Sequence, residues 1–361
     1  MKRAAVIHRN PAALRHNLEL ARTLAPGRRV WAVIKADAYG HGMHWAAGLL
    51  EGVADGLSVS CLEEARALRE AGVGAPILVL QGPRSAAEWR FCALHDLQPV
   101  LHDEAQLPGL HALREPLPAL WIKLDTGMHR LGFAPLKAQL LHAQLHRHPA
   151  TVNGLHWMTH LACADRPEAP QNAEQLETFA HAVAELPGQR SFANSAAVVS
   201  GLARSTRLGE WLRPGIMLYG ASPLVGECGP ERALRPVMTV TAPLIALKSL
   251  EPGASVGYGA SWTANRPTRA GVVAMGYADG YPRHAPSGTP VRLRGRECPV
   301  IGRVSMDMLE IDLTAVPEAR VGDVATLWGE GLPVERIAEA AGTISYELLT
   351  RVAGRLRIAE S

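Results

Sequence analysis

Residues 31–42 read WAVIKADAYGHG, a short apolar run that ends on a lysine and opens into a turn of small residues. The run at 30–34 is typical of a buried strand. Lys35 cannot be core filling, because lysines are almost never fully buried without a partner. Its amine therefore either reaches solvent or takes part in chemistry. A lysine close to a phenol and an imidazole can form a Schiff base with a carbonyl compound.

This strand is the first of eight apolar runs that alternate with segments of helical spacing, such as CLEEARALR at 61–69. Eight strands alternating with helices over roughly two hundred residues favour a (β/α)₈ barrel of the TIM type over a doubly wound sheet. No GxGxxG motif follows the first strand, which also disfavours the doubly wound sheet. The predicted strands are 30–35, 57–60, 76–80, 97–101, 119–124, 154–160, 190–193 and 211–219.

After Gly229 the pattern changes to strand-like runs joined by turns, beginning with MTVTAPLIALKSL, and only 333–341 has helical spacing. The segment PERALRP carries two prolines, which cannot continue a helix or a central strand, so we place a domain boundary there. The sequence therefore predicts an α/β protein with a barrel domain over residues 1–230. A mainly β domain follows over residues 231–361.

Composition narrows the class of protein. The 361 residues are 47% hydrophobic and 20% charged, as in ordinary globular proteins. A formal charge of +3 with scattered basic residues does not indicate nucleic acid. No apolar stretch is long enough for a bilayer and the start of the chain lacks a secretory apolar region, so we expect no membrane association and a cytoplasmic location. The five widely spaced cysteines predict reduced thiols and no zinc site. His142 and His146 are more typical of a solvated helix face than of a metal site.

Reactive side chains collect at the predicted carboxyl ends of the strands, where barrel enzymes carry their active sites. Any one of them could cap a loop, but a convergent set from several strands is what a pocket requires. Asn194 and Ser195 open a helix whose free amides attract anions, although simple N-capping explains them as well. The set comprises Lys35, Lys123, Asp125, Arg130, His160, Asn194, Ser195, Arg213, Gly215 and Ile216.

The string KADAYGHG resembles the pyridoxal-phosphate lysine motif of alanine racemases. Other strings similar to motifs of that family follow in its order over about residues 30–355: KLDTGMHRLGF, MTHLACAD, FANSAA, LRPGIMLYG, VGYGASWTA, GYADGYPR and GRVSMDM. The resemblance implies a homodimer that interconverts L-alanine and D-alanine with pyridoxal 5'-phosphate as its cofactor. The D-alanine would be made for peptidoglycan or broken down.

The resemblance also implies how the cofactor is held. Lys35 would carry it, Tyr39 would contact its phosphate, and Arg213 would face its pyridine nitrogen. An arginine is always charged and cannot accept a proton, so the pyridine nitrogen beside it stays neutral. A neutral nitrogen makes the ring a shallow electron sink, which disfavours transamination. Lys123 lies at a position that is carbamylated in many members, where it would hold Arg130. The remaining implied cofactor contacts are Arg130 at the phenolic oxygen, His160 against the ring, and Asn194, Ser195, Gly215 and Ile216 around the phosphate.

Racemisation removes a proton from one face of Cα and returns it to the other, so two acid–base groups are simpler than one that moves. Lys35 would serve one face, and the resemblance implies that Tyr258 serves the other from the second subunit of a head-to-tail dimer. It further implies that Arg130 and Met306 bind the substrate. The implied entrance residues are Asp165, Tyr277, Arg283 and Arg303. In SYELLTRVAGRLRI, Gly354 aligns with an entrance tyrosine of some members.

Two alternatives stay open. The enzyme could be a broad-specificity amino-acid racemase or a barrel decarboxylase. A non-catalytic pyridoxal-phosphate carrier would need neither the second domain nor a counterpart of Tyr258.

Overall fold

A computed structural model describes residues 4–206, 208–352 and 354–360. Eight parallel strands form a closed barrel in chain order, and the last strand pairs with the first. The predicted barrel is confirmed, and each predicted strand overlaps an observed one. The eighth strand is shorter than predicted because Pro214 follows it and cannot donate to the ladder. The strands are Arg29–Val33, Gly56–Val59, Ile77–Val79, Leu97–Leu101, Leu120–Lys123, Leu155–Met158, Arg190–Asn194 and Trp211–Arg213.

Helices separate the barrel strands and bury one face against them. The helix Pro11–Leu24 begins where its sequence favours a helix start. Asn10 caps it by accepting from the Ala13 N–H at 3.0 Å, and proline occupies its first position. The other helices of this half are Met43–Leu50, Leu62–Glu70, Ala86–Leu94, Leu107–Ala112, Ala138–Leu145, Pro170–Ala182, Ser195–Val199 and Leu202–Ser205.

Three tryptophans fill the barrel interior. Trp31 stacks on Trp211 with ring centroids 4.3 Å apart and meets Trp121 edge-on at 6.4 Å. Gly56 leaves space for this cluster, since a Cβ there would lie 2.1 Å from the Trp31 ring. The residue two positions after each tryptophan lies on the same side of the strand and lines the cavity described below. The tryptophans therefore form the floor of that cavity.

The second half is mainly β, as predicted, with a large antiparallel-rich sheet and a two-stranded ribbon, Ser255–Val256 with Trp262–Thr263. Its helices are Val334–Ala340, close to the predicted 333–341, and Ser345–Arg351, which was not predicted. No helix in the described ranges is long and apolar enough to cross a membrane. The sheet contains Arg296–Pro299, Pro290–Leu293, Val324–Trp328, Met238–Leu250, Val6–Arg9, Arg357–Glu360, Thr268–Val273 and Leu309–Asp312.

The strand Val6–Arg9 belongs to this sheet and not to the barrel. It pairs antiparallel with Met238–Leu250 and parallel with Arg357–Glu360. This strand lies within residues 1–230, which were predicted to form the barrel domain. A four-residue strand gives no local indication that its partner lies more than two hundred positions away. The boundary at 230/231 stays a prediction.

Candidate active site

A cavity of about 730 Å³ opens at the carboxyl ends of the barrel strands. Of the residues that the sequence analysis singled out, the barrel brings ten together in its walls. They are Lys35, Tyr39, Lys123, Arg130, His160, Asn194, Ser195, Arg213, Gly215 and Ile216. Asp125 is not among the lining residues; its Oδ1 accepts from the N–H groups of Gly127, Met128 and His129 at 2.9–3.1 Å and shapes a turn.

The chain turns left-handed directly after Lys35. Residues 36–39 all have φ of 53° and ψ between 42° and 54°. Such a conformation costs about 1–2 kcal/mol for each residue with a side chain, so neighbouring groups must hold it. Asp37 Oδ1 accepts from the Met43 N–H at 2.7 Å, and His41 Nδ1 lies 2.9 Å from the Tyr39 carbonyl oxygen. The turn directs both Lys35 and Tyr39 to the cavity.

Hydroxyl groups and backbone amides gather after the seventh and eighth strands. Ser195 Oγ accepts from the N–H of Gly215 at 2.7 Å and of Met217 at 3.3 Å, which leaves its own proton free to donate. A Cβ on Gly215 would lie 2.2 Å from Tyr39 Oη, so only glycine lets that phenol approach. Asn194 caps the helix by accepting from the Ala197 N–H at 3.0 Å. The arrangement is suited to an anion such as a phosphate.

The cavity is strongly cationic. Burial lowers the pKa of Lys35, the charges of Arg130 and Arg213 lower it further, and Glu64 opposes them. Burial, together with the same two arginines, lowers the pKa of Lys123 to about 8. The Asp125 carboxylate opposes this lowering, but it lies 3.4 Å from His129 Nδ1 and forms no ion pair with Lys123 among the described residues. An anionic ligand would relieve this mutual repulsion.

Arg213 is buried and lines the cavity. It donates to the Thr159 carbonyl oxygen at 2.7 Å, to Ser191 Oγ, and to His160 Nδ1 at 3.3 Å. Because arginine can only donate, His160 Nδ1 must be the acceptor. Burial, followed by the nearby cations, holds the pKa of His160 well below its ordinary value, so the ring is neutral.

The helix Ser345–Arg351 contributes to the cavity, which was not predicted from the sequence. Tyr346, Glu347 and Thr350 line the cavity, and the Tyr346 ring lies 6.1 Å from the Tyr39 ring. Burial and the Asp165 carboxylate raise the pKa of Tyr346 to about 12. Gly354, which the resemblance aligned with an entrance tyrosine, is not among the lining residues. Tyr346 lies in the string SYEL, eight residues earlier, and this string was the available sequence signal.

The second-domain candidates do not join the cavity of their own chain. Tyr258 is 69% exposed and Met306 is 54% exposed. Tyr277 is also partly exposed, while Arg283 lies at the surface. Arg303 lies close to the Tyr258 turn, since a Cβ on Gly259 would be 3.1 Å from Arg303 Nη1. Their positions leave them outside the cavity of this chain.

The fold and cavity define a barrel enzyme with an anion site after the seventh and eighth strands. The chain matches the family model for the alanine racemase N-terminal domain over residues 10–223 and the model for the C-terminal domain over residues 237–359. It belongs to the alanine racemase family.

Similar proteins span the full chain. The alanine racemase of Thioalkalivibrio sulfidiphilus is 55% identical over 362 residues, which cover 99% of both chains. The crystal structure of the biosynthetic alanine racemase from Pseudomonas aeruginosa superposes with a TM-score of 0.94 at 46% identity, covering 99% of both chains. The alanine racemase from Bartonella henselae, solved with covalently bound pyridoxal phosphate, superposes with a TM-score of 0.86 at 27% identity and also covers 99% of both.

Proposed function

We propose that this chain interconverts L-alanine and D-alanine as a cytoplasmic homodimer, with pyridoxal phosphate held on Lys35. The observation that carries the proposal is the chemistry of one cavity. A lysine with a lowered pKa faces three further cationic side chains and an anion site, all at the carboxyl end of a barrel.

The residues of the cavity fit this cofactor. When bound, pyridoxal phosphate supplies a carbonyl carbon that bonds to amines and a ring that withdraws electrons from the amine-bearing carbon. The Ser195 and Tyr39 hydroxyl groups and the backbone amides of Gly215 and Ile216 would hold the phosphate, with Asn194 fixing the helix that carries Ser195. Arg213, already held by acceptors that include the Thr159 carbonyl oxygen, would donate to the pyridine nitrogen, and neutral His160 would lie against the ring.

Lys35 and Tyr258 would move the protons. The lowered pKa of Lys35 increases its neutral fraction near neutral pH, and a neutral amine can take a proton from Cα. Tyr258 of the partner subunit would deliver a proton to the opposite face, which its exposure in the single chain supports. Arg130 and Met306 of the partner subunit would bind the alanine carboxylate. We assign the entrance to Asp165, Tyr277, Arg283 and Arg303.

Lys123 is the residue we propose to be carbamylated. Carbon dioxide adds to a neutral amine, and a pKa of about 8 gives Lys123 a much larger neutral fraction than an ordinary lysine has. The resulting carbamate would replace one of the crowded cations by an anion beside Arg130 and Arg213. It would thereby hold Arg130 for the cofactor and substrate.

The test is borohydride reduction of the reconstituted protein. We expect the reduced cofactor on the peptide that contains Lys35, and Lys35→Ala should lose both the label and alanine racemisation. Lys137→Ala is the matched control, because Lys137 is exposed and pairs with Glu104. Labelling of another lysine would overturn the assignment. A chiral assay over a panel of L-amino acids distinguishes an alanine enzyme from a broader racemase, and loss of carbon dioxide would reveal a decarboxylase.

A further inference from the structure

The carboxylate of Glu64 joins two segments that border Lys35. Glu64 lies in the first turn of the helix Leu62–Glu70, just after the second barrel strand. Its Oε1 accepts from the Ala36 N–H at 2.7 Å, and its Oε2 accepts from the Ser60 N–H at 2.6 Å. One side chain therefore links the residue that follows Lys35 to the end of the neighbouring strand.

The left-handed turn makes this link necessary. Backbone N–H groups need acceptors, and within the turn the Ala38 N–H donates back to the Ile34 carbonyl oxygen at 2.9 Å. Ala36, the first left-handed residue, instead donates its N–H to Glu64. Bonds from amides to an ionised carboxylate are roughly twice as strong as neutral ones. The strained turn is therefore anchored at its first residue by a charged group outside the turn.

Glu64 also carries the opposite charge to the other charged groups that act on the Lys35 amine. Arg130 and Arg213 lower the pKa of the Lys35 amine, Lys35 and Lys123 repel each other, and the nearby His160 is neutral. Glu64 alone among these named groups raises that pKa. The same carboxylate thus acts on Lys35 through the backbone and through its charge.

We propose that Glu64 is a positioning residue for Lys35: by binding the Ala36 and Ser60 amides it fixes the turn that presents the lysine amine to the cavity. This inference rests on the proposed role of Lys35 as the cofactor-bearing residue. Glu64 itself touches neither cofactor nor substrate in this scheme, and it acts through the backbone of its neighbours.

The test compares Glu64→Gln with Glu63→Gln, a loss of the same charge from the same helix turn at an exposed position. The amide of Gln would turn an N–H donor toward one of the two backbone donors. We expect the rate at which the apo-protein takes up pyridoxal phosphate on Lys35, trapped by borohydride, to fall at least about tenfold in Glu64→Gln. The midpoint of its pH dependence should move to lower pH, because an anion that raises the Lys35 pKa is gone. Glu63→Gln should match the wild type in both.

A second variant, Glu64→Asp, keeps the charge but is one methylene too short to reach both amides. It should slow uptake while leaving the pH midpoint near that of the wild type, which a general loss of folding would not do. Uptake within twofold of the wild type in both Glu64 variants, with an unmoved midpoint in Glu64→Gln, would overturn the inference. Failure of the wild type to bind pyridoxal phosphate on Lys35 would instead overturn the proposed function.

Discussion

Among the single residues of the cavity, Lys123 and Arg213 are cations that form no ion pair with a carboxylate among the described residues. Arg213 is buried and Lys123 is half-buried, and burial lowers the pKa of each, to about 8 for Lys123 and about 10 for Arg213. Burying a charge that forms no ion pair destabilises a fold. The apo-protein therefore carries an energetic cost at this site, which an anion or a carbamate would relieve.

The cost at Lys123 makes stability depend on pH. The unfolded chain keeps this lysine protonated up to its ordinary pKa of 10.5, whereas the folded chain does so only up to about 8. The protonated amine thus destabilises the fold fully below pH 8, and the penalty disappears as the pH rises from 8 to 10.5. Its size is on the order of 3 kcal/mol.

We therefore expect Lys123→Met apo-protein, in buffer free of carbon dioxide, to unfold at a higher temperature than the wild type at pH 7. The advantage should shrink between pH 8 and 10.5. Thermal unfolding across this range checks the expectation, and exposed Lys137→Met should show no such trend. Adding bicarbonate should stabilise the wild type but not Lys123→Met. A pH-independent difference would contradict the argument.

At the scale of elements, the turn at residues 36–39 is the least expected feature of the chain. Two of its four residues are alanines, which favour right-handed helices, and nothing in KADAYG indicates a left-handed conformation. Two side chains hold the turn: Glu64, from outside it, accepts from the Ala36 N–H, and Asp37, within it, accepts from the Met43 N–H beyond its end. Its strain is located where Lys35 must be presented, as backbone strain often is at functional sites.

Glycine substitutions at two exposed alanines should therefore change the free energy of unfolding in opposite directions. Ala36→Gly relieves a left-handed alanine and should stabilise the protein by about 0.5–1 kcal/mol. Ala87→Gly, in the regular helix Ala86–Leu94, should destabilise it by about 1 kcal/mol. Urea unfolding measures both. Equal destabilisation by the two substitutions would show that the turn at residue 36 is not strained.

In the whole molecule, the two halves of the chain share structural elements, but the candidate residues of the second half lie outside the cavity of the first half. The strand Val6–Arg9 and the helix Ser345–Arg351 cross between the halves, one into the sheet and one to the cavity. Tyr258 and Met306 nevertheless remain outside the cavity of their own chain. Under the proposed function, Tyr258 and Met306 would complete the cavity of a second chain.

Mixing two inactive variants tests this shared site. Tyr258→Phe should bind the cofactor but lose racemisation, because one face of Cα has no acid–base group. Lys35→Ala should also be inactive. After co-refolding at equal amounts, half of the dimers are mixed and each has one intact site, so about a quarter of wild-type activity should return. Each variant refolded alone is the control. No recovery, with mixed dimers present, would place both residues in one chain or remove Tyr258 as a base.

The barrel could be predicted from local sequence patterns, because eight apolar runs alternating with helical segments leave few other arrangements. Most of the cavity wall could be predicted as well, since Lys35, Lys123 and Arg213 stand at strand ends and barrel closure brings strand ends together. Three features could not be predicted in this way: Val6–Arg9 joins the second sheet, Tyr346 enters the cavity, and the turn after Lys35 is left-handed. Periodicity indicates which face of an element is buried, whereas these features depend on contacts between residues that are distant in sequence and meet only in the folded chain.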